Sequence, residues 1–385
     1  SEKGCLDIVQ SLIEAGADKN LQDFNRGTAL MMASGKGHID VVQFLLMHDA
    51  AVDIQDKDGI TALILAASAG HTAIVRVLIE AGADKNLADA DGMTALMFAV
   101  SHGQQEVAQE LLGYGVDLNG QHRQGITALT SAVMAGYSDI ARLLIEAGVD
   151  KELQDETGST ALICAAIVGN REVVSLLIAS GSNIHAQDNV GCTPLILAAK
   201  HGHADVAQLL IEAGANKDAQ NHDRWTPLMS AALNGHADVA QLLIDERANV
   251  NMLGKIGSTA LMHAANEGHS DIVRLLINAG SNKDMQSGDE NTALMYASIK
   301  GHREVVRLLI NAGANMDLLG PRRCTAFMMA LVSGHLDVAR LLINAGANVD
   351  MRSEQGAVAL AGIMRHGNVI EALQMVNEIM ARQRR

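Results

Sequence analysis

Apolar and polar positions come in blocks along this chain, and the blocks return in register. From Thr193 the sequence reads TPLILAAKHGHADVAQLLIEAGANKD. A run of small and apolar residues, Pro194 to Ala199, follows a threonine whose hydroxyl can accept an otherwise orphan backbone N–H. Proline at the first helical position loses nothing by its missing N–H, so the run predicts a short first helix. After a turn at Gly202 and His203, apolar residues fall at i, i+3 and i+4, with Val206, Leu209, Leu210 and Ala213 forming one stripe. Gly214 then stands where a left-handed helix cap is wanted. This predicts a second, amphipathic helix. The stretch from Ala215 to Trp225 is rich in turn formers and predicts a loop.

The same blocks reappear from Thr226 as TPLMSAALNGHADVAQLLIDERANVN, 33 residues on and without insertion or deletion. The equivalent threonine stands at 28, 61, 94, 127, 160, 193, 226, 259, 292 and 325, with Val358 in an eleventh copy. Each unit can bury its apolar face only against its neighbours, so the fixed period overrides the two or three domains that 385 residues would otherwise suggest. A period of 33 built on T-P-L-x-x-A resembles the ankyrin repeat, over about Gly4 to Arg385. The resemblance implies an all-α, right-handed ankyrin-repeat solenoid of paired antiparallel helices with hairpin-like finger loops. It implies one domain over 1–385, with a partial repeat at 1–22, ten full repeats over 23–352 and an atypical capping repeat at 353–385. With helices ~8–10 Å apart, the array is expected to extend roughly 100 Å. One longer helix from Asn368 to about Arg382 is expected to close it, with Val369, Leu373, Val376 and Met380 facing inward. The chain opens partway through a unit at Gly4 and Cys5 and begins with Ser1, which suggests an array excised from a longer protein.

Composition changes the picture in three ways. Hydrophobic content of 48% is ample for a core, but only 2% is aromatic, so packing rests on Ala, Leu, Ile, Val and 18 Met. The formal charge of −15 opposes nucleic acid or anionic lipid as partner, because phosphate binding needs a basic field. Part of that charge is local: acids such as Asp139, Asp205, Asp271 and Glu304 stand in the first turn of the second helix, where the helix dipole favours them. Three residues on, Arg142, Arg274, Arg307 and Arg340 are placed to pair with such acids at i,i+3. The four cysteines, Cys5, Cys164, Cys192 and Cys324, show no CxxC pair, so a reducing, cytoplasmic setting is expected. No apolar run is long enough to span a bilayer, and no membrane insertion is expected.

Candidate chemistry is sparse. Seven of the fifteen histidines (His38, His71, His203, His236, His269, His302 and His335) share one repeat position, which favours a structural role over a metal site. There is no HExxH, GxSxG or phosphate-loop motif, and the repeats leave no segment for a separate catalytic domain. Neither an enzyme nor a cofactor is expected. The histidine of the family's T-P-L-H is replaced by residues such as Met31, Ile64, Thr130 and Met229. A polar tie between loops is thereby exchanged for apolar packing, and the fingers are expected to be held less rigidly.

Arrays of this kind are generally binding modules, so residues that vary on a fixed framework are the natural contacts. In the fingers and at the ends of the first helices these are Ile126, Met134, Ile167, Val190, Lys200, His201, His222, Trp225, Leu233, Asn234, Lys255, Ile256, Lys300 and Arg322. On the concave face that the resemblance implies, this mixed apolar and charged strip suits a protein or peptide partner, bound by a monomer. Two other readings stay open: a spacer or elastic arm of a larger channel, receptor or adaptor, and a microbial effector binding a host protein. Two features stand out. Arg247 occupies a helix-cap position that most copies give to Gly, so a soft point is expected there. Trp225, the one tryptophan, either packs on adjacent fingers against Val190 or Ile256 or forms the centre of the contact surface.

Overall fold

The structure, a computed structural model, describes residues 4–348 and Gln374. The capping repeat expected at 353–385, with its inward-facing Val369, Leu373, Val376 and Met380, otherwise lies outside the described residues. Among the described residues are 21 α-helices, one 3-10 turn at Pro321–Arg323 and a single isolated β-bridge between Ala88 and Thr94. The architecture is an all-α repeat solenoid.

Each repeat is built by the same local physics. Thr193 has extended backbone angles and its hydroxyl accepts the N–H of Ile196 at 3.3 Å, which starts the helix Pro194–His201. The same bond forms at all ten repeat threonines. Gly202 ends the helix at φ 79°, and the N–H of His203 reaches the carbonyl of Ala198 at 3.0 Å. Glycine is required here twice over. The positive φ disfavours any other residue, and a Cβ would lie 2.5 Å from Nδ1 of His236, the turn histidine of the next repeat. The second helix, Ala204–Glu212, buries Val206, Ala207 and Leu210. Gly214 then turns the chain at φ 96°, and Ala215 N–H closes onto the carbonyl of Leu210.

Contacts cluster the chain into two compact units, Ser1–Asn189 and Val190–Arg385. In the first, the helices Ala29–Lys36, Ala62–Ser68, Ala95–Ser101, Ala128–Ala135 and Ala161–Val168 stack in succession. In the second, Pro194–His201, Pro227–Asn234, Ala260–Glu267, Ala293–Lys300 and Ala326–Val332 do the same. The stacked helices can approach closely because alanines fill the seam: Ala198, Ala199, Ala231, Ala232, Ala264 and Ala265 are all fully buried. The second helix of each full repeat adds one fully buried leucine, such as Leu210, Leu243 or Leu276, worth roughly 1.5–3 kcal/mol of burial.

The surface charges pair differently from the expected i,i+3 scheme. Arg307 does bind Glu304 on its own helix at 2.6 Å. Arg142, however, reaches across to Glu172 on the second helix of the following repeat, not back to Asp139. Arg76 likewise crosses one repeat to Glu110 at 2.9 Å. Stacking brings the next repeat's acid as near as the acid one turn away, and a long guanidinium can choose either.

Candidate functional site

The fingers between repeats are short closed loops. In the finger that carries Trp225, the side chain of Asn221 accepts the backbone N–H groups of Asp223 at 3.0 Å and Trp225 at 2.9 Å, and Asn221 N–H donates to the Trp225 carbonyl at 3.1 Å. Neighbouring fingers are joined through the backbone. In the second unit His222 N–H donates to Val190 O (3.0 Å), Lys255 N–H to Asp223 O (3.0 Å) and Gly288 N–H to Ile256 O (2.7 Å). The first unit repeats the pattern from Lys57 and Asn25 through Asn189 and Thr157.

A second tie comes from glutamine. Gln220 Nε2 donates both to Arg224 O in its own finger (2.7 Å) and to Leu253 O in the next (2.9 Å), and Gln55, Gln121, Gln154 and Gln286 bridge in the same way. The expectation of loosely held fingers is therefore corrected. Where the motif histidine is replaced by buried Met31, Ile64 or Met229, the loops are tied through glutamine amides instead.

Trp225 is half-buried, and its ring packs on that of His263, in the first helix of the next repeat, with centroids 4.4 Å apart and planes 31° from parallel. His263 Nε2 lies 3.0 Å from Ser258 Oγ. Burial pushes the His263 pKa down to about 4, against a smaller opposing pull from Glu267, so the ring is neutral at physiological pH. Val190 and Ile256, at 57% and 58% exposure, stand open at neighbouring fingertips.

At the ends of the first helices, Lys200, His201, Asn234 and Lys300 are exposed and Leu233 is half-buried. The rings of His201 and His203 lie 6.3 Å apart. Burial lowers the His201 pKa, and the nearby Lys200, His203 and His236 lower it further. Turn histidines are structural ties: His236 Nε2 lies 3.0 Å from Lys200 O, His269 Nε2 3.2 Å from Leu233 O and His302 Nε2 2.9 Å from Asn266 O. A carbonyl can only accept, so each of these nitrogens carries its proton. Each satisfies a helix-end carbonyl that has no partner within its own helix. Among the described residues no group of three or more His, Cys, Asp or Glu could hold a metal ion. None of their helices is long and apolar enough to cross a membrane.

The remaining sequence-predicted contacts sort by unit. In the first, Met134 is exposed while Ile126 and Ile167 are half-buried. In the second, His222, Lys255 and Arg322 are exposed fingertip residues, and Lys255 Nζ is held 2.9 Å from Asp223. The consecutive fingers thus gather Val190, His222, Trp225, Lys255 and Ile256 into one stitched row.

The family model described as ankyrin repeats, three copies, matches residues 1–89, 81–155, 147–221, 213–287 and 277–353. The chain belongs to the ankyrin-repeat family. A search of curated proteins found no match. Ankyrin repeats are generally protein–protein interaction modules and typically non-catalytic. Within this ankyrin framework, sequence reasoning missed two surface residues, Phe24 and Leu21, which are strongly exposed in the first finger. The signal was available, because Phe24 stands four residues before Thr28, as His222 stands four before Thr226. It also missed His263, whose pairing with Trp225 joins positions that no repeat-internal spacing relates.

Proposed function

We propose that this ankyrin chain is a non-catalytic protein-binding scaffold whose partner, a protein or peptide, lies along the fingers and first-helix ends on the concave side of the stack. The observation that carries this reading is the exposure of Val190 and Ile256 on fingers fixed by backbone bonds at 3.0 Å and 2.7 Å. Apolar side chains held rigidly in water are pre-organised contacts, since little freedom remains to be lost on binding. The framework residues beneath them are buried and alike from copy to copy, whereas Val190, His222, Lys255 and Ile256 differ. We place the protein in a reducing, cytoplasmic setting as a monomer. In support, no cysteine is in a disulfide, and burial raises the Cys164 pKa to about 12, which leaves it an inert core thiol.

The test compares proteins captured by the full chain and by a Val190→Ser, Ile256→Ser double variant. Both sites are exposed, so the melting temperature is expected to hold while capture of the specific partner falls. Equal capture by both forms, with binding mapped elsewhere by cross-linking, rejects this surface.

A further inference from the structure

The proposed contact surface carries a charge pattern that selects its partner further, and this step rests on the reading just given. In a chain of net charge −15, the last turn of the helix Pro194–His201 carries Lys200 and His201, while acids stand at Asp205 in the first turn of the next helix and at the exposed Glu267 two repeats on. Lys200 and His201 are both exposed, the His203 ring is 6.3 Å from that of His201, and the His236 ring is bonded to the Lys200 carbonyl. The charges that bear on His201 are positive or protonatable: Lys200, His203 and His236. Farther along, Lys300 and Arg322 are also exposed, while Asp223 at the fingertip is already met by Lys255 at 2.9 Å.

The apolar members lie at the opposite end of the same layer. Trp225 immediately precedes Thr226, which caps the helix Pro227–Asn234, and that helix packs directly on Pro194–His201. A helix of eight residues is ~12 Å long, a distance that an extended peptide covers in about four residues at ~3.3 Å each.

We propose that the surface of residues 190–348 takes an extended acidic peptide segment. Its carboxylates lie against Lys200 and His201, and an aromatic or aliphatic side chain about four residues away packs on Ile256 and the exposed part of Trp225. Complementary charge both steers such a segment and rejects basic ones.

The test selects random displayed peptides against the full chain and follows binding of the synthesised winners through the fluorescence of Trp225, the one tryptophan. The expected winners are rich in Asp and Glu, with an apolar residue about four positions from an acid. They perturb Trp225, weaken as salt is raised, and bind Lys200→Glu about tenfold less tightly, the effect of removing one charge-assisted hydrogen bond. The melting temperature of Lys200→Glu is expected to match that of the parent. Winners that perturb Trp225 but are neutral or basic, or that bind Lys200→Glu equally well, overturn the acidic assignment and leave the protein-binding reading standing. Winners that bind without perturbing Trp225 and are insensitive to Ile256→Ser overturn both. A peptide that binds only when phosphoserine replaces its glutamates identifies a phosphoryl group as the ligand and overturns the carboxylate assignment.

Discussion

Arg247 adopts the left-handed conformation at φ 63° and keeps the hydrogen bonds of a glycine cap, its N–H to Ile244 O and that of Ala248 to Leu243 O, both at 2.9 Å. At equivalent positions such as Gly214, an added Cβ meets nothing within 4 Å, so the strain at Arg247 is purely of the backbone, about 1–2 kcal/mol. Arg247→Gly is expected to raise the melting temperature and slow amide exchange from about Leu242 to Asn251; faster exchange there rejects the argument. His263 offers a prediction of opposite character. Its pKa is about 4 in the fold against an ordinary 6.5, so the unfolded chain binds the proton more readily over that interval. Stability is therefore complete above about pH 6.5, falls as pH drops toward 4 and levels off below, by up to about 3 kcal/mol. His263→Gln is expected to remove this slope, measured as the difference between denaturant midpoints of parent and variant across pH. Trp225→Ala opens the ring to water, and NMR titration is expected to show the His263 pKa moving back toward 6.5.

At the scale of the element, the helices were readable from sequence because their determinants are local and recur: a threonine three residues from the N–H it accepts, an apolar stripe, a glycine at the stop. The finger ties were not. Gln220 needs Leu253 O, which is brought near only when two repeats stack, and nothing in the finger's own sequence names that acceptor. The Arg142–Glu172 pair and the Trp225–His263 stack escaped for the same reason, while the exposed fingertip positions were legible because variation on a fixed frame is visible one copy at a time. The amide bridge has an energetic consequence. Gln220→Ala removes both of its bonds, each worth about 0.5–1.5 kcal/mol net. Amide exchange in the fingers on either side, at Trp225 and Lys255, is expected to speed up while the helix Pro227–Asn234 stays protected. Unchanged finger exchange would mean that the backbone ladder alone fixes these loops.

Along most of the chain a second, longer period overlies the first. One position just before the finger alternates lysine and an apolar residue over ten copies, Lys19, Val52, Lys85, Leu118, Lys151, Ile184, Lys217, Val250, Lys283 and Met316, and the alternation stops at Val349. Lys19, Lys85 and Lys217 each donate to a carbonyl at the end of the next repeat's second helix, at His48, Tyr114 and Glu246. There the helix dipole favours a cation. Alternation keeps like charges from facing one another in adjacent repeats, and it turns part of the scarce basic charge inward. The outer surface is left strongly acidic, with 44 Asp and Glu against 29 Lys and Arg in all. The ion pairs among the described residues, such as Arg123–Asp91 and Lys255–Asp223, join side chains 62–72% exposed in these two cases, and pairs of that kind are worth only ~0–1 kcal/mol each. Self-repulsion of the net charge of −15 should therefore outweigh them. Raising salt shortens the Debye length from ~30 Å at 0.01 M to about 8 Å at 0.15 M, which screens the repulsion between well-separated acids more than the partly buried lysine ties. The melting temperature of the full chain is expected to rise with sodium chloride over this range. A fall would show that the exposed pairs contribute more to stability than the acidic surface removes.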